Sequence, residues 1–336
     1  MRIGIDAMGG DNAPREEVKG ALSARRFLGE GDKIVLIGRQ EAILPLLAED
    51  PKWAEFIEVR HAQQVIGMDE APVEALRTKP ESSLAVMVQM HADGLIDACI
   101  SAGNTGACVA AAQMRLRRLN GVHRPGIAVV TPTHRGPVAI CDVGANVNCR
   151  PQHLYQYGIM ASVYLQCICG VAHPRVGLLS IGQEDAKGND LVKQTRALLK
   201  EDANLHFVGN IEGRDLFSGV CDVMVCDGFV GNVVLKLVEG MAEGLVRTLL
   251  GELGELLPGH ENALRKAAGS ISVKYDYNEY GGAPLLGVGG IFIICHGASS
   301  YRGIMNAVRV AVDFSKRHVN QQITQLLSGS PRVADV

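Results

Sequence analysis

The stretch Leu178-Leu-Ser-Ile-Gly-Gln-Glu-Asp-Ala-Lys-Gly-Asn-Asp-Leu191 places a strand, a polar loop and a helix in direct succession. The apolar run 176–181, bounded by a proline and a glycine, is typical of a buried strand, and the residues from Asp190 onward have helical spacing. Lys187 lies between them, beside a glycine that bares the backbone. The first N–H groups of the following helix have no acceptor within the helix and point toward the same loop as the lysine, so the loop predicts an anion site. The alternative is an ordinary surface loop with a solvated lysine.

The same order of strand, polar loop and helix recurs along the chain. Strands that alternate with helices predict a doubly wound, mostly parallel α/β sheet, in which the carboxyl ends of the strands face one crevice. Backbone N–H groups at helix starts favour a phosphate or an oxyanion there. The other loops of this kind are Asp6–Asn12, Gly103–Gly106, Asp142–Asn146, Asp227–Asn232 and the segment that begins at His296.

Composition narrows the class of protein. The 336 residues include 39 glycines and only 4% aromatic residues, which suits a parallel sheet with tight turns, and we treat residues 1–336 as a single α/β catalytic domain. A formal net charge of -3 disfavours a general nucleic-acid binder. Nine cysteines, several of them inside apolar runs, indicate a reduced cytoplasmic protein. The first residues predict a strand and not a charged segment followed by a long apolar one, so we expect no signal peptide. No apolar run is long enough for a conventional spanning helix.

Several well-known chemical signatures are absent from the sequence. The chain has no G-x-x-x-x-G-K-[ST] motif and no G-x-G-x-x-G before a helix, which disfavours nucleoside triphosphates and a Rossmann cofactor. It also lacks H-E-x-x-H and G-x-S-x-G, which argues against zincin and nucleophile-elbow chemistry. We therefore expect no cofactor and no metal.

Residues 233–270 read as a helical hairpin that protrudes from the domain. Its first helix carries an apolar stripe, and residues 258–259, Pro-Gly, end that helix. The stripe predicts dimer packing or core, and the alternative is that the tip at 253–258 touches a membrane. Charge argues against electrostatic docking of this tip to an anionic membrane. Residues 238–261 contain five glutamates, and Arg247 is their one fixed cation. The stripe consists of Leu237, Met241, Leu245, Leu249, Leu253 and Leu257.

The densest basic cluster follows the fourth predicted strand and its helix. It can be a solvated helix end or a docking surface for an acidic protein partner, since local charge complementarity steers association even at low net charge. The cluster consists of Arg115, Arg117, Arg118, His123 and Arg124.

Seven motifs in these loops together resemble one known family over nearly the whole chain. They are Ile5-Asp-Ala-Met-Gly-Gly-Asp-Asn-Ala-Pro14, Ser101-Ala-Gly-Asn-Thr-Gly106, Asp142-Val-Gly-Ala-Asn146, Glu184 with Lys187-Gly-Asn189, Gly209-Asn-Ile-Glu-Gly-Arg-Asp215, Cys226-Asp-Gly-Phe-Val-Gly-Asn-Val-Val-Leu-Lys236, and Gly281-Gly-Ala-Pro-Leu-Leu-Gly287 with His296-Gly297. The family is the acyl-acyl-carrier-protein:phosphate acyltransferase (PlsX) family of bacterial phospholipid synthesis.

The resemblance implies transfer of a long fatty acyl group from acyl carrier protein to inorganic phosphate, giving an acyl phosphate. It also implies a fold similar to phosphotransacetylases and isocitrate-dehydrogenase-like enzymes, and soluble homodimers found partly at the inner membrane surface. The nearest alternative is a phosphotransacetylase-like enzyme that uses short acyl-CoA. A hydride-transfer enzyme of this fold class and a membrane-surface scaffold are further alternatives.

Phosphate is largely ionised near neutral pH, so the site needs no strong base. It must hold a dianion beside a thioester and stabilise the oxyanion that forms. We assign Lys187 to that charge, Asn189 and Asn232 to hydrogen bonding, and His296 either to protonating the leaving group or to a structural hydrogen bond. Residues assigned to substrate binding or loop architecture are Asp6, Asp11, Gly103, Asn104, Thr105, Gly106, Asp142, Asn146 and Gly231.

Overall fold

Eleven strands form one sheet in the computed structural model, which describes residues 1–257, 259–274 and 277–329. The strands are β1 (Arg2–Asp6), β2 (Lys33–Gly38), β3 (Ile57–His61), β4 (Ala98–Ser101), β5 (Gly126–Thr133), β6 (Gly136–Cys141), β7 (Arg175–Leu179), β8 (His206–Ile211), β9 (Val223–Val225), β10 (Ala283–Leu286) and β11 (Ile291–Ile294). Their order across the sheet is β3-β2-β1-β4-β11-β10-β5-β6-β9-β7-β8.

Two sets of parallel strands make up this sheet. The first set is β3, β2, β1, β4 and β11, and the second is β6, β9, β7 and β8. Between them, β10 is antiparallel to β11 and to β5, and β5 is antiparallel to β6. Three successive reversals make the second set run opposite to the first. The predicted mostly parallel α/β sheet is confirmed, and the reversal is a feature that the pattern did not reveal.

Helices cover both faces of the sheet. Along β2, Ile34 and Leu36 belong to one buried cluster while Val35 and Ile37 belong to the other, as alternation on a strand requires. Helices α1, α6 and α10 pack on the first face, and α4 and α5 pack on the second. The helices are α1 (Arg15–Ser23), α2 (Gln40–Leu47), α3 (Pro72–Thr78), α4 (Ser83–Ala92), α5 (Thr105–Arg115), α6 (Pro151–Tyr164), α7 (Asp190–Glu201), α8 (Gly228–Leu256), α9 (Glu261–Lys274), α10 (Tyr301–Lys316) and α11 (Val319–Gly329).

Polar residues at three strand ends start the helices that follow. The Asn104 side chain accepts a hydrogen bond from Ala107 N at the start of α5, at 3.0 Å. The Asn189 side chain accepts one from Val192 N at the start of α7, also at 3.0 Å. Asp227 accepts two such bonds at the start of α8. Caps of this kind satisfy N–H groups that have no partner inside the helix. These residues therefore have a local structural role whatever else they do.

The predicted hairpin at 233–270 corresponds to helices α8 and α9. Helix α8 begins five residues earlier than predicted, at Gly228, and its 29 residues span about 44 Å. Its stripe is exposed, with Leu237 at 60% and Leu245 at 62%, so the interpretation of the stripe as part of the core is wrong. Pro258, in the predicted tip, lies outside the described residues. Within those residues, no helix combines the length and apolarity that a membrane span needs.

Candidate functional site

A cavity of about 400 Å³ collects residues from both strand sets. The first set contributes Asp11 after β1, Thr105 after β4 and His296 after β11. The second contributes Gly144 after β6 and the first turns of α8, which follows β9. Loops from the two oppositely directed sets therefore share one cavity. Its wall is partly apolar, formed by Met68, Ile127, Val129, Val130, Val143, Leu235, Ala283 and Ile294.

A lysine and a histidine meet in the cavity. Lys236 Nζ lies 3.3 Å from His296 Nε2, and Lys236 also lies 3.6 Å from the carboxylate of Glu239. The backbone N–H of Ala298 donates to His296 Nδ1 at 3.2 Å. An Nδ1 that accepts places the proton of the neutral ring on Nε2, so that Nε2 and the ammonium are two donors 3.3 Å apart, which a shared acceptor would bridge. An anion beside this pair can accept from both groups.

The amino end of α5 forms another wall. Thr105 and Gly106 are exposed and line the cavity, and their N–H groups belong to the first helical turn, which has no intrahelical acceptors. Asn104, predicted to bind substrate, is mostly buried. Its Nδ2 donates to the carbonyl oxygens of Gly67, Met68 and Glu70 at 3.0–3.3 Å. Asn104 therefore fixes the loop over the helix start, while Thr105 and Gly106 face the ligand space.

Two predicted glycines act through close packing. The N–H of Gly103 donates to Ser101 Oγ at 3.1 Å, and the N–H of Gly231 donates to Asp227 O at 2.9 Å. A Cβ on Gly231 would overlap the carbonyl oxygen of Asp142, and a Cβ on Gly103 would lie 3.3 Å from the Cα of Gly9. Their N–H groups are thus used within the protein, and glycine is needed so that the loops can approach one another.

Asp6, Asp142 and Asn146 stabilise the loops at the strand ends through hydrogen bonds within the protein. Asp6 is buried and accepts from Ser101 Oγ at 2.8 Å; burial raises its pKa, and this hydrogen bond opposes the rise. The Asp142 carboxylate accepts from the backbone N–H groups of residues 127, 144, 145 and 146 at 2.7–3.2 Å. Asn146 Nδ2 donates to Pro125 O at 2.6 Å. These contacts support the loop-architecture assignment for Asp6 and Asp142.

Asp11 differs from those two carboxylates because it is exposed in the cavity. Its backbone N–H donates to Gly297 O at 2.8 Å, and a Cβ on Gly297 would lie 2.8 Å from its carboxylate. Asp11 therefore joins the loop after β1 to the loop after β11, beside His296.

Glu17 is a buried carboxyl behind the same loops, and the sequence pattern did not single it out. It is 1% exposed, and its Oε2 atom has no hydrogen-bond partner within the described part of the chain. Burial raises its pKa from 4.5 to about 7, and the charges of Asp6 and Glu16 add to the rise. The folded state therefore favours the neutral acid.

We expect Glu17 to make the protein less stable as pH rises. A folded-state pKa above the unfolded value stabilises the fold at acid pH, and that contribution disappears as pH rises through about 7. From pH 5 to pH 8 the wild type should lose about 2 kcal/mol more free energy of unfolding than Glu17→Gln. Urea unfolding at both pH values measures this. Glu41→Gln, which alters an exposed carboxylate, serves as control and should lose as much free energy of unfolding as the wild type. A Glu17→Gln protein that also loses as much as the wild type would refute the raised pKa of Glu17.

Lys187 and Asn189 lie apart from the cavity. Among the described residues that line it, none comes from the loop 180–189. That loop follows β7, which is separated from β6 in the sheet by β9. Lys187 is exposed, and Asn189 caps α7. Their catalytic assignment stays a prediction, and the structure offers Lys236 as a cation in the cavity itself.

Lys236 is the last residue of the motif 226–236, and reasoning from the sequence assigned it no role. A usable signal was present: Lys236 stands four residues after Asn232 on α8, so both side chains lie on one helix face. Asn232 also lines the cavity. No cluster of three or more histidine, cysteine, aspartate or glutamate side chains suited to a metal ion occurs in the ranges that the structure describes.

The basic cluster divides into two parts. Arg115 and Arg117 are exposed, and Arg117 has a positive φ of 60°. Arg118 and Arg124 line a pocket of their own, away from the cavity lining. Arg118 donates to the carbonyl oxygen of His123.

Comparisons with known proteins agree with this architecture. A family model described as a fatty acid synthesis protein matches residues 1–322. A phosphate acyltransferase of Geotalea uraniireducens (strain Rf4) is 46% identical over 330 residues, which covers 97% of this chain and 94% of the relative. A phosphate acyltransferase of Desulforamulus reducens is 44% identical and covers 100% of both chains. A solved phosphotransacetylase from Streptococcus pyogenes superposes with a TM-score of 0.60 at 15% identity, covering 94% of each chain. This last likeness confirms the phosphotransacetylase-like fold and nothing further.

Proposed function

Because this chain belongs to the phosphate acyltransferase family, we propose that it transfers a long-chain fatty acyl group from acyl carrier protein to inorganic phosphate and releases acyl phosphate for phospholipid synthesis. The observation that carries the proposal is the pair Lys236 and His296 in a cavity whose lining is partly apolar. Cationic and N–H donors suit phosphate, and an apolar wall suits a fatty acyl chain.

The reaction needs charge stabilisation more than acid-base chemistry. A phosphate oxygen attacks the thioester carbonyl, and the tetrahedral intermediate then expels the thiolate, so the C–O bond forms and the C–S bond breaks. Phosphate is largely a dianion near neutral pH, and a thiol with a pKa of about 8.5 can leave as thiolate. The site must hold two anionic centres close together.

We assign the phosphate to the space beside Lys236, His296 and the exposed amino end of α5. The ammonium of Lys236 neutralises charge, and His296 Nε2 donates a hydrogen bond. Thr105 and Asn232, which are both exposed in the cavity, add side-chain donors. A helix amino end adds a favourable dipole for the anion.

The carbons next to the reacting carbonyl lie against Ile127, Val129 and Leu235 in this proposal. These side chains line the cavity, and Leu235 precedes Lys236 on α8. Burying methylene groups here contributes about 0.8 kcal/mol each, which favours long acyl chains over short ones.

We expect a preference for acyl carrier protein over acyl-CoA as donor. The surface with Arg115, Arg117, Arg118 and Arg124 supplies positive charge for an acidic carrier. With the same long acyl chain, kcat/KM should be at least about tenfold higher for the carrier-bound donor. Reversing Arg117 and Arg118 to glutamate should raise KM for the carrier-bound donor with little change in kcat.

Reversal of Lys193, an exposed cation on α7, is the matched control and should leave KM for the carrier-bound donor unchanged. A higher kcat/KM with acyl-CoA would favour the phosphotransacetylase-like alternative. An unchanged KM in the arginine variant would mean that the cluster is a solvated surface and not a docking site.

We also propose that two copies of the chain associate through the exposed stripe of α8. Val234, Leu235 and Val238 pack against the core, whereas Leu237, Met241 and Leu245 remain exposed. Contiguous exposed apolar side chains of this kind mark interaction sites in soluble proteins. Contact of the tip at 253–258 with the inner face of the cell membrane is the alternative for this hairpin. A monomeric mass in light scattering would contradict the homodimer.

A further inference from the structure

A second pocket, of about 470 Å³, lies between the segment after α5 and the amino end of α6. Basic side chains dominate its lining, and the described residues around it include no carboxylate. The polar side chains in the lining are Arg118, His123, Arg124, Arg150, Gln152 and His153. Nothing in the acyl-transfer chemistry proposed above requires this pocket.

Hydrogen bonds fix the walls of this pocket. The Gln156 side chain accepts from His123 N at 2.8 Å and donates to Gly121 O at 2.8 Å. Arg118 donates to His123 O, and Arg150 N donates to His153 Nδ1 at 3.1 Å. A site whose walls are held in this way loses little conformational entropy when a ligand binds.

The pocket has a strongly positive potential. Burial, together with the charges of Arg124, His123 and Arg150, lowers the pKa of His153 to about 4. A neutral His153 whose Nδ1 accepts from Arg150 carries its proton on Nε2 and remains a donor. The amino end of α6 adds a partial positive charge.

Gln152 gives an independent indication of a missing polar partner. Its Oε1 atom is buried without a hydrogen-bond partner in the described part of the chain. Buried polar atoms normally have partners, and a half-turn of the amide group places a donor at the same point. Because this atom is closed to solvent, an acceptor-rich ligand in the pocket would reach the amide only after the Gln152 side chain turns toward it.

We propose that this pocket binds a phosphoryl group, separately from the acyl-transfer cavity. Three guanidinium groups line it, and guanidinium groups bind phosphate through paired N–H donors. The absence of any carboxylate from the described lining favours a ligand with at least two negative charges. The volume admits a small phosphate ester.

One stretch of chain connects the pocket to the cavity. Arg124 lines the pocket and Ile127 lines the cavity, and three residues of chain span at most about 10 Å. The phosphoryl group can therefore come from a free phosphorylated metabolite or from the phosphodiester of a carrier protein's pantetheine arm. The second source rests on the proposed function; the first does not.

Calorimetric titration with pyrophosphate tests the site without turnover. Arg124→Gln and Arg150→Gln should each weaken binding at least tenfold, provided that their melting temperatures match the wild type. Arg115→Gln, an exposed arginine outside the pocket, should stay within twofold. Lys193→Gln, which removes an exposed cation on α7 outside both the pocket and the cavity, should also bind normally. Pyrophosphate binding that is equal in Arg124→Gln, Arg150→Gln and the wild type would overturn the site.

Apo and holo forms of acyl carrier protein, which differ by the pantetheine phosphodiester, distinguish the sources. If the arm occupies the pocket, the holo form binds the wild type more tightly, and Arg150→Gln removes the difference. If the ligand is a free phosphate ester, both forms bind alike and pyrophosphate does not displace them. A failed acyl-transfer assay would refute the proposed function while leaving the pyrophosphate result intact.

Discussion

Replacing Lys236 by methionine is expected to lower kcat for acyl transfer by at least about 100-fold, the loss typical of removing one preorganised charge or donor from an oxyanion site. Lys236 Nζ lies 3.3 Å from His296 Nε2 inside the cavity, and methionine keeps much of the apolar stem. The mutation therefore removes the charge with little change in packing. Initial rates of acyl-phosphate formation at saturating donor measure the effect.

Lys187→Met is the comparison that decides between the two lysines. Lys187 is exposed on a loop that contributes nothing to the described cavity lining, so its loss should change kcat less than about threefold. The opposite ranking, with Lys187→Met inactive and Lys236→Met near normal, would restore the role predicted for Lys187 and remove ours for Lys236. Melting temperatures confirm that both variants are folded.

Gly231→Ala should both destabilise the protein and impair catalysis. A Cβ at this position would overlap the carbonyl oxygen of Asp142, and backbone cannot turn away as a flexible side chain can. The first turn of α8 must shift, which costs about 3 kcal/mol for overpacking of this kind. Because Asn232 and Lys236 are carried by the same helix, kcat should fall at least tenfold. Urea unfolding and steady-state kinetics measure the two effects.

Gly240→Ala is the matched control on the same helix. No atom lies within 4 Å of its hypothetical Cβ, so alanine should stabilise α8 by about 0.5–1 kcal/mol. A Gly231→Ala protein with wild-type stability and kcat would contradict the close packing between α8 and the Asp142 loop.

The repeated order of strand, polar loop and helix was enough to predict the fold class. Strands β2 and β4 can be read from the sequence, because each is a compact apolar run bounded by polar or turn residues. Strand β10, in contrast, is not evident from the sequence. It has only four residues, includes Pro284 and lies between glycines, so its local preference is weak. Pairing with β11 and β5 makes it a strand, and that pairing is a long-range effect.

The sequence indicates which loops surround the candidate cavity but not the role of each residue in them. Polar residues at strand ends do surround the cavity, as Asp11, Thr105 and His296 show. Asn104 and Asn189, in contrast, use their side-chain oxygens to cap helices. Helix capping and ligand binding favour the same residue types at the same positions, so one sequence cannot separate them. Only the geometry shows which polar groups face the ligand.

The position of β10 and β11 between the two strand sets has a consequence for biosynthesis. The amino end of a chain leaves the ribosome first, and the strands that join the two halves begin only at Ala283, after all the other strands of the sheet. Until then β4 and β5 each have an unpaired edge, which is a template for intermolecular association. Nascent or carboxyl-terminally truncated chains should therefore aggregate and depend on chaperones, whereas the completed chain covers both edges in a single late step.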